Sequence, residues 1–126
     1  MTDPPQLTFT TVNIGAPDPS ALAHFYANLL GWSIVREEPT DFMLHNPDGG
    51  VAISIQEETS YVRPVWPAVA TEQQMMMHLE IMVEDLDAAA AFAVSLGATV
   101  AEVQPQDDVR VCLDPAGHPF CLWIET

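Results

Sequence analysis

The second half of the chain opens with Met77-His78-Leu79-Glu80-Ile81-Met82-Val83, a run whose alternate side chains suit opposite faces of a strand. Asp85 follows as a helix N-cap, and the alanine-rich run Asp87–Leu96 favours a helix. Gly97 is placed to end that helix, because glycine adopts the left-handed conformation at little cost. The segment therefore predicts a strand and a helix in immediate succession.

Three further strands are predicted after this helix, near Thr99–Val103, Val109–Leu113 and Phe120–Glu125. The turn Asp114-Pro115-Ala116-Gly117 lies between the last two strands. The second half is therefore expected to form a βαβββ unit, module two, over residues 77–126.

The first half contains the same signals in the same order. A strand is predicted at Leu7–Ile14, and Asp18 with Pro19 predicts the start of a helix over Ala21–Leu30 that Gly31 ends. Further strands are expected at Ser33–Arg36, Phe42–His45 and Val51–Gln56, and the turn before the last of them is Asn46-Pro47-Asp48-Gly49. This half is module one, residues 7–56, and a linker of residues 57–76 separates it from module two.

The spacing of matching signals indicates an internal duplication. Asp85 follows Asp18 by 67 residues, Gly97 follows Gly31 by 66, and Asp114 follows Asn46 by 68. Chance seldom aligns a cap, a helix stop and a turn in this way. The chain is therefore expected to be one α+β domain, residues 1–126, made of two tandem βαβββ modules.

Composition narrows the possible partners. The chain has 3 arginine and lysine residues against 18 aspartates and glutamates, which gives a formal net charge of −15. Such a surface repels phosphate backbones and anionic membranes, so we expect no nucleic-acid or membrane partner. The same charge favours a neutral or cationic ligand, although acidity also serves solubility alone. No signal peptide or apolar span is recognisable, and the two cysteines are expected to be thiols, so we expect a cytoplasmic protein.

The combined motifs resemble the glyoxalase / bleomycin-resistance / dioxygenase superfamily, also called the vicinal oxygen chelate superfamily, in its glyoxalase-like domain. This resemblance implies that the two modules form a cleft-shaped, barrel-like mixed sheet with the helices outside, and that two chains form a homodimer. It also implies a function among lyases, isomerases, dioxygenases and non-catalytic drug binders. The motifs that carry it are Asp18, Phe25-Tyr26, Leu30-Gly31-Trp32, Asn46-Pro47-Asp48-Gly49, His78-Leu79-Glu80, Asp85-Leu86-Asp87, Leu96-Gly97-Ala98 and Asp114-Pro115-Ala116-Gly117-His118-Pro119-Phe120-Cys121.

The resemblance also implies where a metal site belongs. Metal-dependent relatives use one ligand from the first and one from the last strand of each module, and these places fall at Thr11, Ile53, His78 and Cys121. Threonine is a poor ligand for a divalent ion and isoleucine is none at all. The usual metal site is therefore expected to be broken, with His78 its one retained ligand and no cofactor bound.

Module two offers an alternative set of chemically active side chains. His78 and Glu80 share a strand face, and with the thiolate of Cys121 and a water molecule they form a set that zinc accepts. The His78–Glu80 pair also suits acid–base catalysis, and Cys121 suits a nucleophile with His78 as its base. The alternative interpretation is structural: Cys121 is a small buried residue and His78 is hydrogen-bonded to Glu80.

A ligand-binding cleft is predicted on the module faces turned away from the helices. The linker contains Tyr61 and Trp66 and either covers this cleft as a lid or merely spans the modules. His118 is interpreted as a turn residue. Methionine and tryptophan side chains suit a pocket for a flat organic ligand, or else fill the core and a dimer contact. The residues predicted to line the cleft are Thr11, Ile53, His78, Glu80, Met82, Cys121, Trp123 and Trp66.

Two functional hypotheses follow. The first is a metal-independent protein that binds a neutral or cationic organic small molecule. The second is a metal-dependent lyase, isomerase or dioxygenase with an altered site around His78. The resemblance specifies the fold more narrowly than the reaction.

Overall fold

The computed structural model describes residues 3–126 and contains the βαβββ unit twice. The first unit consists of β1 (Thr11–Ala16), α1 (Pro19–Leu30), β2 (Ser33–Glu38), β3 (Asp41–His45) and β4 (Ala52–Glu57). The second consists of β5 (Leu79–Met82), α2 (Leu86–Ser95), β6 (Thr99–Val100), β7 (Val109–Leu113) and β8 (Pro119–Trp123). The predicted order of elements is confirmed in both halves.

Both helices begin at the predicted caps. The Asp18 carboxylate accepts a hydrogen bond from the backbone N–H of Ala21 at 3.1 Å, and Asp85 accepts one from Ala88 at 3.0 Å. These bonds satisfy N–H groups that have no partner inside the helix. Gly31 ends α1 in the left-handed conformation, with φ of 69°. Neither helix of residues 3–126 is long and apolar enough to cross a lipid bilayer.

Strand β1 is shorter than predicted at its start. The predicted strand began at Leu7, but the ladder with β4 starts at the pair Thr11 and Ala52. Leu7 and Phe9 lie before it and are 84% and 69% exposed. A strand persists only where a neighbour accepts its hydrogen bonds, and β4 itself starts at Ala52.

Each unit forms one four-stranded mixed sheet. The strand orders are β1-β4-β3-β2 and β5-β8-β7-β6. The pairs β1–β4 and β5–β8 are parallel, and the other neighbours are antiparallel. The two sheets are open and cleft-like among the described residues, so the predicted α+β class with a cleft-shaped mixed sheet is confirmed.

A single hydrophobic core includes residues of both units. The rings of Phe25 and Tyr26 on α1 lie 5.9 and 6.1 Å from the ring of Phe120 on β8. Leu79 and Ile81 pack against this core, as predicted from the alternation along β5. Glu80 and Met82 therefore lie on the opposite face of β5, and His78 directly precedes the strand.

Candidate functional site

A cavity of about 510 Å³ lies between β1, the start of β5 and the linker. Residues 12–15 form one wall, and residues 60–62 and 73–79 form the walls that the linker and the start of β5 contribute. A volume of this size accommodates a drug-sized organic molecule. The linker is therefore part of the cavity and not only a connection between the modules.

The chemistry of the walls is mainly apolar. Val12, Ile14 and Leu79 contribute branched side chains, and Met75–Met77 contribute three flexible thioethers that adapt to different ligand shapes. Glu58 contributes a carboxylate, and no arginine or lysine is among the described residues that line the cavity. An apolar cavity with this charge suits a neutral or cationic molecule better than an anion.

The linker is fastened to the turn between β7 and β8. The Tyr61 hydroxyl donates a hydrogen bond to the carbonyl oxygen of Ala116 at 2.7 Å. The Arg63 guanidinium donates to the carbonyl oxygen of Pro115 at 3.4 Å and lies directly over Gly117. These contacts hold the linker in place across the cavity.

A buried carboxylate organises the same turn. Asp114 is 1% exposed and accepts hydrogen bonds from the Tyr26 hydroxyl at 2.7 Å and from the backbone N–H of Ala116 at 2.9 Å. Its Oδ2 also lies 2.8 Å from Nδ1 of His118. The far nitrogen of that ring, Nε2, lies 3.3 Å from the Tyr61 hydroxyl. His118 and Tyr61 both line the cavity, so the turn contributes polar atoms to its wall.

The pKa values of both tyrosines in this network, Tyr26 and Tyr61, are raised. Burial, followed by the charge of Asp114, raises the pKa of Tyr61 to about 12, and Arg63 opposes this shift. Burial also raises the pKa of Tyr26 well above its ordinary value, with the Asp114 carboxylate as the second cause. Each hydroxyl is therefore a hydrogen-bond donor under physiological conditions.

A second cavity, of about 200 Å³, contains the predicted chemical cluster. His78, Glu80, Cys121 and Trp66 line it, and His78 also lines the larger cavity. Nε2 of His78 lies 2.5 Å from Oε2 of Glu80. One ligand atom from each of His78, Glu80 and Cys121 lies within 4.8 Å of the others. The structure thus brings together the three residues that the sequence suggested as an active cluster.

Cys121 is poorly suited to nucleophilic catalysis in this environment. Burial, followed by the charge and hydrogen bond of the neighbouring Glu80 carboxylate, raises the pKa of its thiol to about 11. The thiolate is the reactive form, so the arrangement keeps this side chain in its less reactive state. The hydrogen bond between His78 and Glu80 agrees with the structural interpretation of this pair.

The prediction that Ile53 faces the cleft is wrong. Ile53 is 6% exposed and belongs to the hydrophobic core, whereas Ser54 occupies the opposite face and accepts a hydrogen bond from Asn13 at 2.6 Å. Asn13 pairs with Ser54 in β1–β4 as Glu80 pairs with Cys121 in β5–β8. Ser54 is therefore the counterpart of Cys121, because the first turn is one residue longer and a shift of one residue changes the face.

The other predicted cleft residues lie at the margins. Thr11, Met82 and Trp123 line neither of the two cavities found among the described residues. Met82 pairs with Trp123 at the far end of β5 and is 59% exposed. Tyr61 was predicted only as part of a possible lid and His118 as a turn residue, and both line the larger cavity. An aspartate and a histidine four residues apart in one turn are a recognisable signal for a fixed imidazole.

The four family positions do not fit a divalent ion. Module one supplies only the hydroxyls of Thr11 and Ser54, and each is hydrogen-bonded to a neighbouring side chain. Neutral hydroxyls are weak ligands, and the Cys121 thiol must lose its proton before it binds a metal. The altered trio keeps two of these positions, His78 and Cys121, adds Glu80 and uses module two alone.

The paired βαβββ units with a cavity between them define a protein of the glyoxalase fold. Residues 10–123 match the family profile described as glyoxalase-like domain, so the chain belongs to that family. No protein of curated function matches the chain at a significant level of sequence similarity.

Solved structures with the same fold come from several bacteria. A glyoxalase/bleomycin resistance protein/dioxygenase family enzyme from Burkholderia phytofirmans PsJN has a TM-score of 0.72 at 18% identity, covering 94% of this chain and 98% of that one. A glyoxalase-related enzyme from Fulvimarina pelagi has a TM-score of 0.68 at 17% identity, with coverages of 95% and 89%. An antibiotic binding protein from Streptomyces sp. CB03234 has a TM-score of 0.61 at 14% identity, with coverages of 96% and 98%.

Proposed function

We propose that this protein binds a neutral or cationic organic small molecule without a metal, and that the larger cavity holds the ligand. The observation that carries the proposal is the cavity itself: about 510 Å³, with mainly apolar walls and the Glu58 carboxylate. The antibiotic binding protein from Streptomyces sp. CB03234 is an example of small-molecule binding on this fold.

Three fluorescent dyes of similar flat shape test this proposal. Nile red is neutral, acridine orange is cationic and anilinonaphthalene sulfonate is anionic. We expect saturable binding of the first two and binding of the anion weaker by about tenfold, because the cavity and the whole chain are acidic. Addition of a chelator leaves the dye affinities unchanged if no metal takes part.

Two matched variants locate the dye. Met77 lines the larger cavity and is 77% exposed, whereas Met82 is 59% exposed and does not line it. Met77→Lys is expected to weaken binding of the cationic dye by about tenfold, since a lysine ammonium at the wall repels it. Met82→Lys changes the net charge equally and is expected to change the affinity less than about twofold. Equal effects of the two substitutions, or no saturable binding of any dye, would contradict the proposal.

A second function is favoured by one observation, the close approach of the ligand atoms of His78, Glu80 and Cys121. These three residues would hold a zinc ion, which supplies Lewis acidity to a lyase, isomerase or dioxygenase reaction. Calorimetric titration with zinc tests this candidate. It requires stoichiometric binding that is lost in His78→Ala and kept in His45→Ala, a variant of an exposed histidine on β3. Failure of the wild-type protein to bind zinc at micromolar concentration would eliminate it.

We also propose that the protein forms a homodimer. Leu7, Phe9 and Val35 are 84%, 69% and 62% exposed, and burial of these apolar side chains against a second copy of the chain would stabilise a dimer. Sedimentation equilibrium measures the mass independently of shape, and a monomer at all concentrations up to about 100 μM would contradict the proposal.

A further inference from the structure

His118 is held in the wall of the larger cavity by a buried framework. Its side chain is 23% exposed, and the side chain of its partner Asp114 is fully buried. The Asp114 carboxylate accepts hydrogen bonds from the Tyr26 hydroxyl and from the backbone N–H groups of Ala116 and His118. These bonds fix the carboxylate, and the carboxylate in turn fixes the plane of the imidazole.

The framework also determines which ring nitrogen carries the proton. Nδ1 of His118 lies 2.8 and 3.0 Å from the two Asp114 carboxylate oxygens. A carboxylate only accepts, so Nδ1 is the donor, and Nε2 of the neutral ring has a free lone pair.

The neighbouring tyrosine does not occupy that lone pair. The Tyr61 hydroxyl has one proton and donates it to the carbonyl oxygen of Ala116 at 2.7 Å, whereas its distance to Nε2 of His118 is 3.3 Å. The carbonyl oxygen is the nearer acceptor and lies at the usual distance for an O–H···O hydrogen bond, so it receives the hydroxyl proton. Nε2 and the Tyr61 oxygen are therefore two hydrogen-bond acceptors side by side on the cavity wall.

We propose that Nε2 of His118 is the hydrogen-bond acceptor that recognises the ligand, and that the ligand presents an O–H or N–H group on a flat apolar body. This inference rests on the proposed function and names the polar group by which the cavity selects its ligand. The Glu58 carboxylate adds a further acceptor to the same cavity. A ligand that offers only acceptors would leave these atoms unpaired, which opposes binding.

A matched pair of probes isolates this preference. 2-Naphthol and its methyl ether have the same apolar body, and only the naphthol offers a donor. We expect the wild-type protein to bind the naphthol about tenfold more tightly than the ether, the usual scale for one good hydrogen bond. In His118→Phe the preference for the naphthol over the ether is expected to disappear, because phenylalanine offers no acceptor at this position. His45→Phe, at an exposed site, is the matched control and keeps the preference.

Nitrogen-15 NMR of the wild-type protein provides a test that does not depend on folding of a variant. At about pH 8 we expect the Nδ1–H tautomer of His118, and we expect the Nε2 signal to move on addition of the naphthol but not of the ether. An Nε2–H tautomer, an Nε2 signal that the naphthol does not move, or a preference that survives in His118→Phe would overturn the inference. Equal binding of both probes would overturn this inference alone, whereas failure of both probes to bind would overturn the proposed function as well.

Discussion

Ile53 and Ser54 are sequence neighbours with opposite environments on β4. Ile53 is in the hydrophobic core, and Ser54, which is 4% exposed, accepts its hydrogen bond from Asn13 on β1. Loss of a buried branched side chain removes apolar contacts and leaves a cavity. Loss of the serine hydroxyl removes one hydrogen bond from a pair of neutral groups. The two positions therefore differ in how much they contribute to stability.

Truncation of each residue to alanine measures this difference. Ile53→Ala is expected to lower the free energy of unfolding by about 2–5 kcal/mol, the range for large-to-small core substitutions. Ser54→Ala is expected to lower it by about 1 kcal/mol. Urea denaturation of the two variants beside wild type gives both values. A larger loss of unfolding free energy for Ser54→Ala than for Ile53→Ala would show that Ser54, and not Ile53, faces the core.

The sheet face that a side chain occupies was predictable where alternation along one strand decides it. It was not predictable where the length of the preceding loop also matters. The facing of His78, Glu80 and Leu79 follows from alternation along β5 and agrees with the structure. Ile53 was placed by counting from the turn, which is one residue longer in module one. The hydrogen bond between Tyr61 and Ala116 joins residues 55 apart, and no local pattern reports such a contact.

The linker and the β7–β8 turn form one interlocked pair of elements. Gly117 has φ of 93°, and a Cβ added there would lie 2.5 Å from Cγ of Arg63. Gly49, in the corresponding turn of module one, has φ of 75° and open space around it. Gly117 is therefore required both for its backbone conformation and for the close approach of the linker. Gly49 is required for its backbone conformation alone.

Alanine substitutions at the two glycines separate these requirements. Gly49→Ala is expected to cost about 1–2 kcal/mol of unfolding free energy, since a left-handed conformation disfavours a side chain. Gly117→Ala is expected to cost more, because Arg63 must also move, and limited proteolysis should then cut the linker faster. In an Arg63→Ala background the cost of Gly117→Ala should fall to that of Gly49→Ala. Equal costs of the two substitutions in the wild-type background would refute the interlocking.

The helices were predicted more accurately than the strands, for a physical reason. A cap such as Asp18 or Asp85 satisfies N–H groups within a few residues, so the start of a helix is encoded locally. The extent of a strand depends on its neighbour, as the late start of β1 at Thr11 opposite Ala52 shows.

Contacts between the two units stabilise the whole molecule, and Tyr26 makes several of these contacts. Its ring lies 5.0 Å from that of Phe25 and 6.1 Å from that of Phe120. Its hydroxyl donates to Asp114, a residue 88 positions further along the chain. Burial raises the pKa of this hydroxyl well above the ordinary value of 10.0, and the Asp114 carboxylate adds to the shift. Folding therefore favours the protonated tyrosine, and the fold loses this stabilisation in alkali.

The pH dependence of unfolding tests the role of Tyr26. Its pKa is raised in the folded state, so its contribution is complete below about pH 10 and declines as the pH rises toward the folded value. Between about pH 9 and about pH 11 the wild-type protein is therefore expected to lose stability through this residue. Tyr26→Phe should lower the free energy of unfolding by about 1.5–3 kcal/mol at neutral pH, because Asp114 loses a hydrogen-bond donor. Between these two pH values the variant should then lose less stability than the wild-type protein.

Absorbance at about 295 nm reports tyrosinate directly and completes this experiment. The chain has 2 tyrosines, and the pKa of Tyr61 is raised to about 12. We therefore expect almost no tyrosinate in the folded protein at about pH 10.5, whereas urea-unfolded protein should be largely ionised. Tyr61→Phe leaves Tyr26 as the one remaining tyrosine and should preserve this resistance to alkali. Ionisation of folded Tyr61→Phe near pH 10 would contradict a buried hydrogen bond between the two units, because a solvated hydroxyl titrates there.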